Sequence, residues 1–201
     1  MKWIDKQEAP ESFVRCVKKH SPSTWELFTK NHPEVKQQLA DQLLREQGNL
    51  CCYCEQHIYG GNSHIEHLQP KGQYPKRTFD YENLLSSCLD KDSCGTKKGH
   101  WFSDDMVTPL DEKCEERFHY LGNGTIIAAD PADSHAQETI HRLNLNCEKL
   151  KDKRMKTYKK YRERKKYDPD FTEKVSEILR PNSNGEYAEF WTTIKYVAEK
   201  V

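Results

Sequence analysis

The plainest chemistry in the chain belongs to four cysteines. Cys51 and Cys54 form a C-x2-C pair within Cys51-Cys52-Tyr53-Cys54, and Cys88 and Cys94 form a C-x5-C pair. Zn²⁺ takes four soft ligands in a tetrahedron, and two cysteine-bearing turns supply them. The first spacing is standard; the second is longer than the usual two to four intervening residues, and Cys52 could replace either of its neighbours. The expectation is a structural zinc on Cys51, Cys54, Cys88 and Cys94, against the alternative of unpaired buried thiols. Cys16, Cys114 and Cys147 read as buried thiols. A redox switch on Cys51 and Cys54 ranks last, because this C-x2-C lies outside any βαβ pattern.

Between and beyond the two pairs the polar residues keep a definite order. Ile65-Glu66-His67-Leu68-Gln69-Pro70-Lys71 comes first, then Tyr81-Glu82-Asn83-Leu84-Leu85-Ser86-Ser87-Cys88, then Cys94-Gly95-Thr96-Lys97-Lys98-Gly99-His100. A Glu-His dipeptide or an Asn-Leu-Leu run carries nothing alone; their order inside the cysteine frame does. Lys71, Lys97 and Lys98 stand where a phosphate backbone could pass, with ordinary surface lysines as the alternative.

Four segments must position these groups. Residues 1–48 read as helical: Pro33 suits a first helical position, Val35, Leu39, Leu43 and Leu44 recur at helical spacing, and Gly48 is a plausible stop. Residues 49–105 hold five of the eight cysteines and four of the nine histidines, broken by glycine and proline, with too little apolar content for a core of their own. Small, loop-rich pieces of this kind are commonly held by a metal. Here the pattern predicts a strand near His64–Leu68 and a helix from about Tyr81. Residues 106–135 predict a hairpin, Phe118–Leu121 and Thr125–Ala128 flanking Gly122-Asn123-Gly124. Residues 136–201 predict helices, one covering 136–166, one starting at Asp168-Pro169, and one from about Glu186 with Tyr187, Phe190, Trp191, Ile194 and Val197 on one stripe that reads as core or docking surface. From Cys147 to Lys166 there are eleven Lys/Arg and three Asp/Glu, which is either a solvated helix face or a polyanion-facing one.

Composition narrows the class. The 201 residues are 35% hydrophobic and 32% charged, and the 32 basic residues balance the 32 acidic ones. No apolar run approaches the roughly 18–20 residues needed to cross a bilayer, and the first residues offer no secretion signal, so a cytoplasmic protein with no membrane partner is expected. The fold class expected is α+β, mostly α-helical, as one domain over 1–201.

The ordered frame resembles the HNH nuclease family, which implies a zinc-stapled ββα-metal motif embedded in a helical shell. More closely, I-E-H-x-x-P-K, N-L-x-x-S-C and C-G-x-K-K-G resemble the PtuB nuclease subunits of Septu anti-phage systems, relatives of which accompany some retrons. The likeness extends through the Gly122–Gly124 hairpin and Glu138-Thr139-Ile140…Leu143-Asn144-Leu145-Asn146. It implies Glu66 as a ligand of a catalytic metal, His67 as general base and Asn83 as the central asparagine that holds the His67 loop. In many HNH proteins a third metal ligand follows the last cysteine directly; here that position is Gly95. His100 is the first candidate to replace it and His64, on the strand face of Glu66, the alternative. A hard oxygen ligand suits Mg²⁺ or Mn²⁺, while a histidine partner tilts toward a transition metal. The resemblance further implies phosphodiester hydrolysis in DNA or RNA, tRNA included, and a PtuA-type ATPase partner or a retron reverse transcriptase/msDNA complex. The rival function is a zinc-containing nucleic-acid-binding module without catalysis.

Overall fold

The computed structural model describes residues 1–201. Three helices open the chain: α1 (Glu11–His20), α2 (Trp25–Asn31) and α3 (Pro33–Glu46). Thr24 caps α2 by accepting the Leu27 amide at 3.2 Å, and Pro33 starts α3, where its missing N–H costs nothing. Phe13, Phe28, Leu39 and Leu43 bury between these helices and meet Tyr81 and Leu84, so the helical layer sits on the piece of chain that carries the chemistry.

That piece is a two-stranded antiparallel sheet, β1 (Ser63–His67) and β2 (Leu84–Cys88), followed by the short helix α4 (Cys94–Lys98). The register places Glu66 opposite Leu85 and His67 opposite Leu84. The helix predicted from Tyr81 is instead a single 3₁₀ turn, Tyr81–Asn83, that runs straight into β2. All five residues of β2 are buried. Gln47, just past α3, donates to the Ser86 carbonyl at 2.8 Å and accepts the Ser86 amide at 2.7 Å, so a side chain pairs the backbone of β2 on the edge away from β1. Tertiary hydrogen bonding overrides the local helical signal there.

A second small sheet, β3 (Phe118–Tyr120) with β4 (Ile126–Ala128), matches the predicted hairpin. The single helix predicted over 136–166 is two, α5 (Ser134–Arg142) and α6 (Glu148–Tyr167). The break falls at Asn144, whose φ of 48° is left-handed. There the side chains turn to other work: Asn144 donates to the Asp92 carbonyl at 2.7 Å, and Asn146 brackets Ile126 with bonds of 2.9 and 2.8 Å. On α6 the basic run leaves most charges exposed. Arg154 is the exception, buried and donating to the carbonyls of Gly124 at 2.5 Å and Leu145 at 2.9 Å. Tyr158 and Tyr161 are buried, which leaves Tyr167 as the exposed aromatic of that run.

The chain ends with α7 (Phe171–Ile178) and α8 (Trp191–Lys200). The last helix starts later than predicted because Phe190 adopts a left-handed φ of 56° and donates its amide to the Glu55 carbonyl at 3.0 Å. Of the aromatic stripe, Phe190 lies in the main core beside the cysteine-bearing turn, and Ile194 and Val197 pack with Tyr158, Tyr161, Phe171 and Val175. Tyr187 and Trp191 are half-buried, with the Lys2 ammonium over both rings at 4.3 and 5.1 Å. Phe190, Ile194 and Val197 are therefore core, and Tyr187 and Trp191 lie at its edge. No helix is long and apolar enough to cross a membrane.

Removing the Phe190 ring opens a cavity in that core, so Phe190→Ala is expected to cost about 3–5 kcal/mol in urea denaturation. A loss under about 1 kcal/mol would place the ring outside the core.

Candidate active site

Four buried thiols anchor the site. The Sγ atoms of Cys51, Cys54, Cys88 and Cys94 all lie within 4.8 Å of one another, and Cys52 is not among them. Cys51 and Cys54 come from the turn after α3, Cys88 ends β2 and Cys94 starts α4, so one ion there would tie three elements. The Cys88 amide donates to Cys51 Sγ at 3.4 Å. Burial pushes against ionisation of Cys51, yet the surrounding thiols hold it well below the ordinary range, while burial and Cys51 push Cys94 up. Closely packed thiolates in a buried site repel unless a cation joins them, and this donor set fits Zn²⁺.

Glu66 stands next to this cluster and is itself buried. Its two oxygens have different neighbours. Oε1 takes the Lys98 ammonium at 2.9 Å and the Tyr53 hydroxyl at 3.2 Å; Oε2 faces His64 Nε2 at 3.1 Å. Burial works to raise the Glu66 carboxyl, and His64 and Lys98 overcome it, holding it below the usual carboxylate range. His64 Nδ1 is buried with no hydrogen-bond partner. Gly95 lies directly across from this pair. A Cβ there would come within 2.6 Å of Glu66 Oε2 and 3.0 Å of His64 Nε2, so any side chain at 95 would fill the space these two ligand atoms border. An oxygen, an imidazole nitrogen and a side-chain-free gap fit a divalent cation.

His67 follows Glu66 on β1 and, by the alternation of a strand, points to the other face. Its Nε2 donates to the Thr78 carbonyl at 3.1 Å, which fixes the tautomer and leaves the Nδ1 lone pair free. Its ring meets Trp25 edge-on at 4.6 Å. Burial lowers its pKa, only partly opposed by Thr78, so the ring is neutral near pH 7. Asn83 is fully buried and bonds only to backbone: it accepts the Gln69 amide at 2.7 Å and donates to the Gln69 and Arg77 carbonyls, both at 3.0 Å. It thereby closes the loop that leaves His67 and returns to Thr78.

Several predicted site residues lie elsewhere. His100 follows Gly99, whose φ is 55°, and is exposed with no hydrogen bond or ion pair to Glu66. Lys98, expected to face a phosphate backbone, is buried; besides Glu66 it bonds the His67 carbonyl at 3.2 Å. Lys71 pairs with Glu26, and Lys97 is exposed. Tyr53, Trp25 and Thr78 contact the site without having been singled out in the sequence. Tyr53, inside the C-x2-C turn, had the clearest signal, since a large aromatic between two cysteine ligands has to pack on whatever they anchor.

Replacing Asn83 by Ala would strand three backbone groups. The expected loss is on the order of 1–3 kcal/mol for each one left unpaired in a dry site. Amide hydrogen exchange over residues 69–78 is expected to speed up while α6 stays protected. Unchanged exchange in the loop would remove Asn83 from this role.

No family model matches the chain. The chain is 28% identical over 159 residues to "Retron Vc95 putative HNH endonuclease" of Vibrio cholerae, a match covering 73% of this chain and 75% of that protein. It is 31% identical over 131 residues to "Retron Ec83 putative HNH endonuclease" of Escherichia coli, covering 60% of this chain and 47% of that protein. The chain thus spans about half the length of the second relative. Both names support an endonuclease enzyme, and the chain is similar in sequence to these two proteins, each named a retron putative HNH endonuclease.

Proposed function

We propose that the chain is a metal-dependent HNH endonuclease that hydrolyses phosphodiester bonds in nucleic acid, working in a retron-type anti-phage defence complex. The observation that carries this reading is the pairing of Glu66 Oε2 with His64 Nε2 across from Gly95, one residue from a neutral His67 whose Nδ1 is free. Glu66 and His64 would hold a divalent cation, Mg²⁺ or Mn²⁺, which when bound neutralises charge on the scissile phosphate and the leaving oxygen. This replaces the first-ranked His100 as third ligand by His64.

The chain's own residues supply the rest. His67 accepts the proton of the attacking water at Nδ1, and its depressed pKa keeps that nitrogen available near neutral pH. The Thr78 carbonyl and the Trp25 ring hold the imidazole in one orientation, and Asn83 holds Thr78's loop in place. Lys98 keeps Glu66 ionised from the Oε1 side, leaving Oε2 for the cation. Lys97 is the exposed lysine of the motif that is free to meet a phosphate. A structural zinc on the four thiols would fix the relative placement of β2, α4 and the Tyr53 turn.

The substrate class is DNA or RNA, tRNA included. The resemblance to PtuB and the retron names of the relatives favour a complex with a PtuA-type ATPase, or with a retron reverse transcriptase and its msDNA. The exposed charges of α6 also suit the second reading, a zinc-containing module that binds nucleic acid without cutting it.

Cleavage of plasmid DNA and total cellular RNA by wild type and His67→Ala tests the proposal, with Mg²⁺, Mn²⁺ or EDTA and with the co-expressed partners. Cutting that needs the cation and falls by at least about 10²-fold in His67→Ala is expected. Binding without cutting, equal in the two proteins, would support the non-catalytic module instead.

A further inference from the structure

A second set of metal-ligating side chains lies outside the site described above. Cys16 and His20 are four residues apart on α1, so they share one helix face. His32, the residue before α3, faces them, and the ligand atoms of all three lie within 4.8 Å of one another. The two imidazoles are 4.6 Å apart between ring centres.

Packing alone accounts poorly for this trio. Cys16 is buried among Phe13, Phe28 and Leu39, where a thiol serves as a small hydrophobe. Yet neither imidazole hydrogen-bonds through a ring nitrogen within the protein, and Cys16 Sγ has no partner either, so three unused lone-pair donors converge on one point. His20 is exposed, His32 is half-buried, and an open concavity lined by His20, Ser21, Pro22, Ser23, Asn31 and His32 borders both rings. That opening gives a cation its entry path and leaves room for water as a fourth ligand.

We propose that Cys16, His20 and His32 form a second site for a borderline divalent transition cation of the Zn²⁺ class. A thiolate and two imidazoles are the ligand types such a cation takes, and three protein ligands with an open fourth position are an established arrangement. A cation binds the thiolate, so its uptake at Cys16 displaces the thiol proton to solvent. The ligands bracket α2. That helix carries Phe28, which buries against α3, and Trp25, which walls His67. A cation here closes the loop from residue 20 to residue 32 and holds that wall in place. The proposal stands apart from the nuclease reading, since it uses none of the catalytic residues.

Metal content and Co²⁺ titration test it on the full-length chain. Wild type is expected to hold about two sulfur-ligated equivalents, one on the four thiols and one on this trio, distinguished by their sulfur-to-Co²⁺ absorption from any cation on Glu66 and His64, which offer no sulfur. Cys16→Ser and His32→Gln are each expected to lose one equivalent, together with the sulfur-to-Co²⁺ absorption and the imidazole-ligated d–d bands of the second step. Cys54→Ser should lose the other equivalent, which scores the two sites separately. His32→Gln replaces a half-exposed ring and serves as the variant that keeps its fold, checked by far-UV circular dichroism. Sulfur-ligated uptake of no more than one equivalent by wild type, or a second sulfur-ligated step that survives both Cys16→Ser and His32→Gln, would overturn the proposal.

Discussion

A carboxylate taken out of water must be compensated on the spot, because its desolvation costs several kcal/mol and bulk solvent no longer shields it. Glu66 is that carboxylate. Lys98 and Tyr53 serve one oxygen and His64 the other, and each comes from a different stretch of chain. Holding three such groups around one carboxylate requires the turn after α3, the strand β1 and the helix α4 to stay in register within a fraction of an ångström. Much of the surrounding structure serves that requirement.

The four thiols meet it most directly. They lie where the Tyr53 turn, the end of β2 and the start of α4 converge, so Tyr53, Gly95 and Lys98 inherit their positions from a single cluster. Leu143 extends the arrangement by accepting the Cys94 amide at 2.9 Å, and Asn144 does so by fastening the loop at Asp92. The helical layer α1–α3 works from the opposite side. It brings Trp25 to His67 and Gln47 to β2, and so supports both His67 and the strand that pairs with β1. Glu66 and His67 are adjacent in sequence but lie on opposite strand faces. Their microenvironments diverge accordingly: Lys98 and His64 hold Glu66 below the usual carboxylate range, while burial lowers the pKa of His67.

What could be read in the sequence was whatever local spacing controls. The two cysteine pairs, the Pro33 helix start, the Gly122–Gly124 hairpin and the His64/Glu66 alternation all follow from contacts within a few residues. What could not be read depended on distant partners. The Tyr81 segment carries a helical signal, but β1 and Gln47 draw it into a strand. Lys98 looks like any surface lysine until Glu66 is known to lie beside it. His100 is near the motif in sequence, yet the backbone turn at Gly99 leaves it in solvent. The stripe around Phe190 shows an apolar face correctly but does not say which surface covers it; the cysteine-bearing turn and α6 do.

Glu66 Oε2, together with His64, is the proposed seat of the divalent cation. Crystals soaked in Mn²⁺ and measured at the manganese edge address that claim without relying on activity. The account predicts an anomalous peak bonded to Glu66 and His64 in front of Gly95, with Lys98 still on the other carboxylate oxygen. A manganese peak at His100, or none near Glu66 while Lys98 and His64 keep their present contacts, would contradict it.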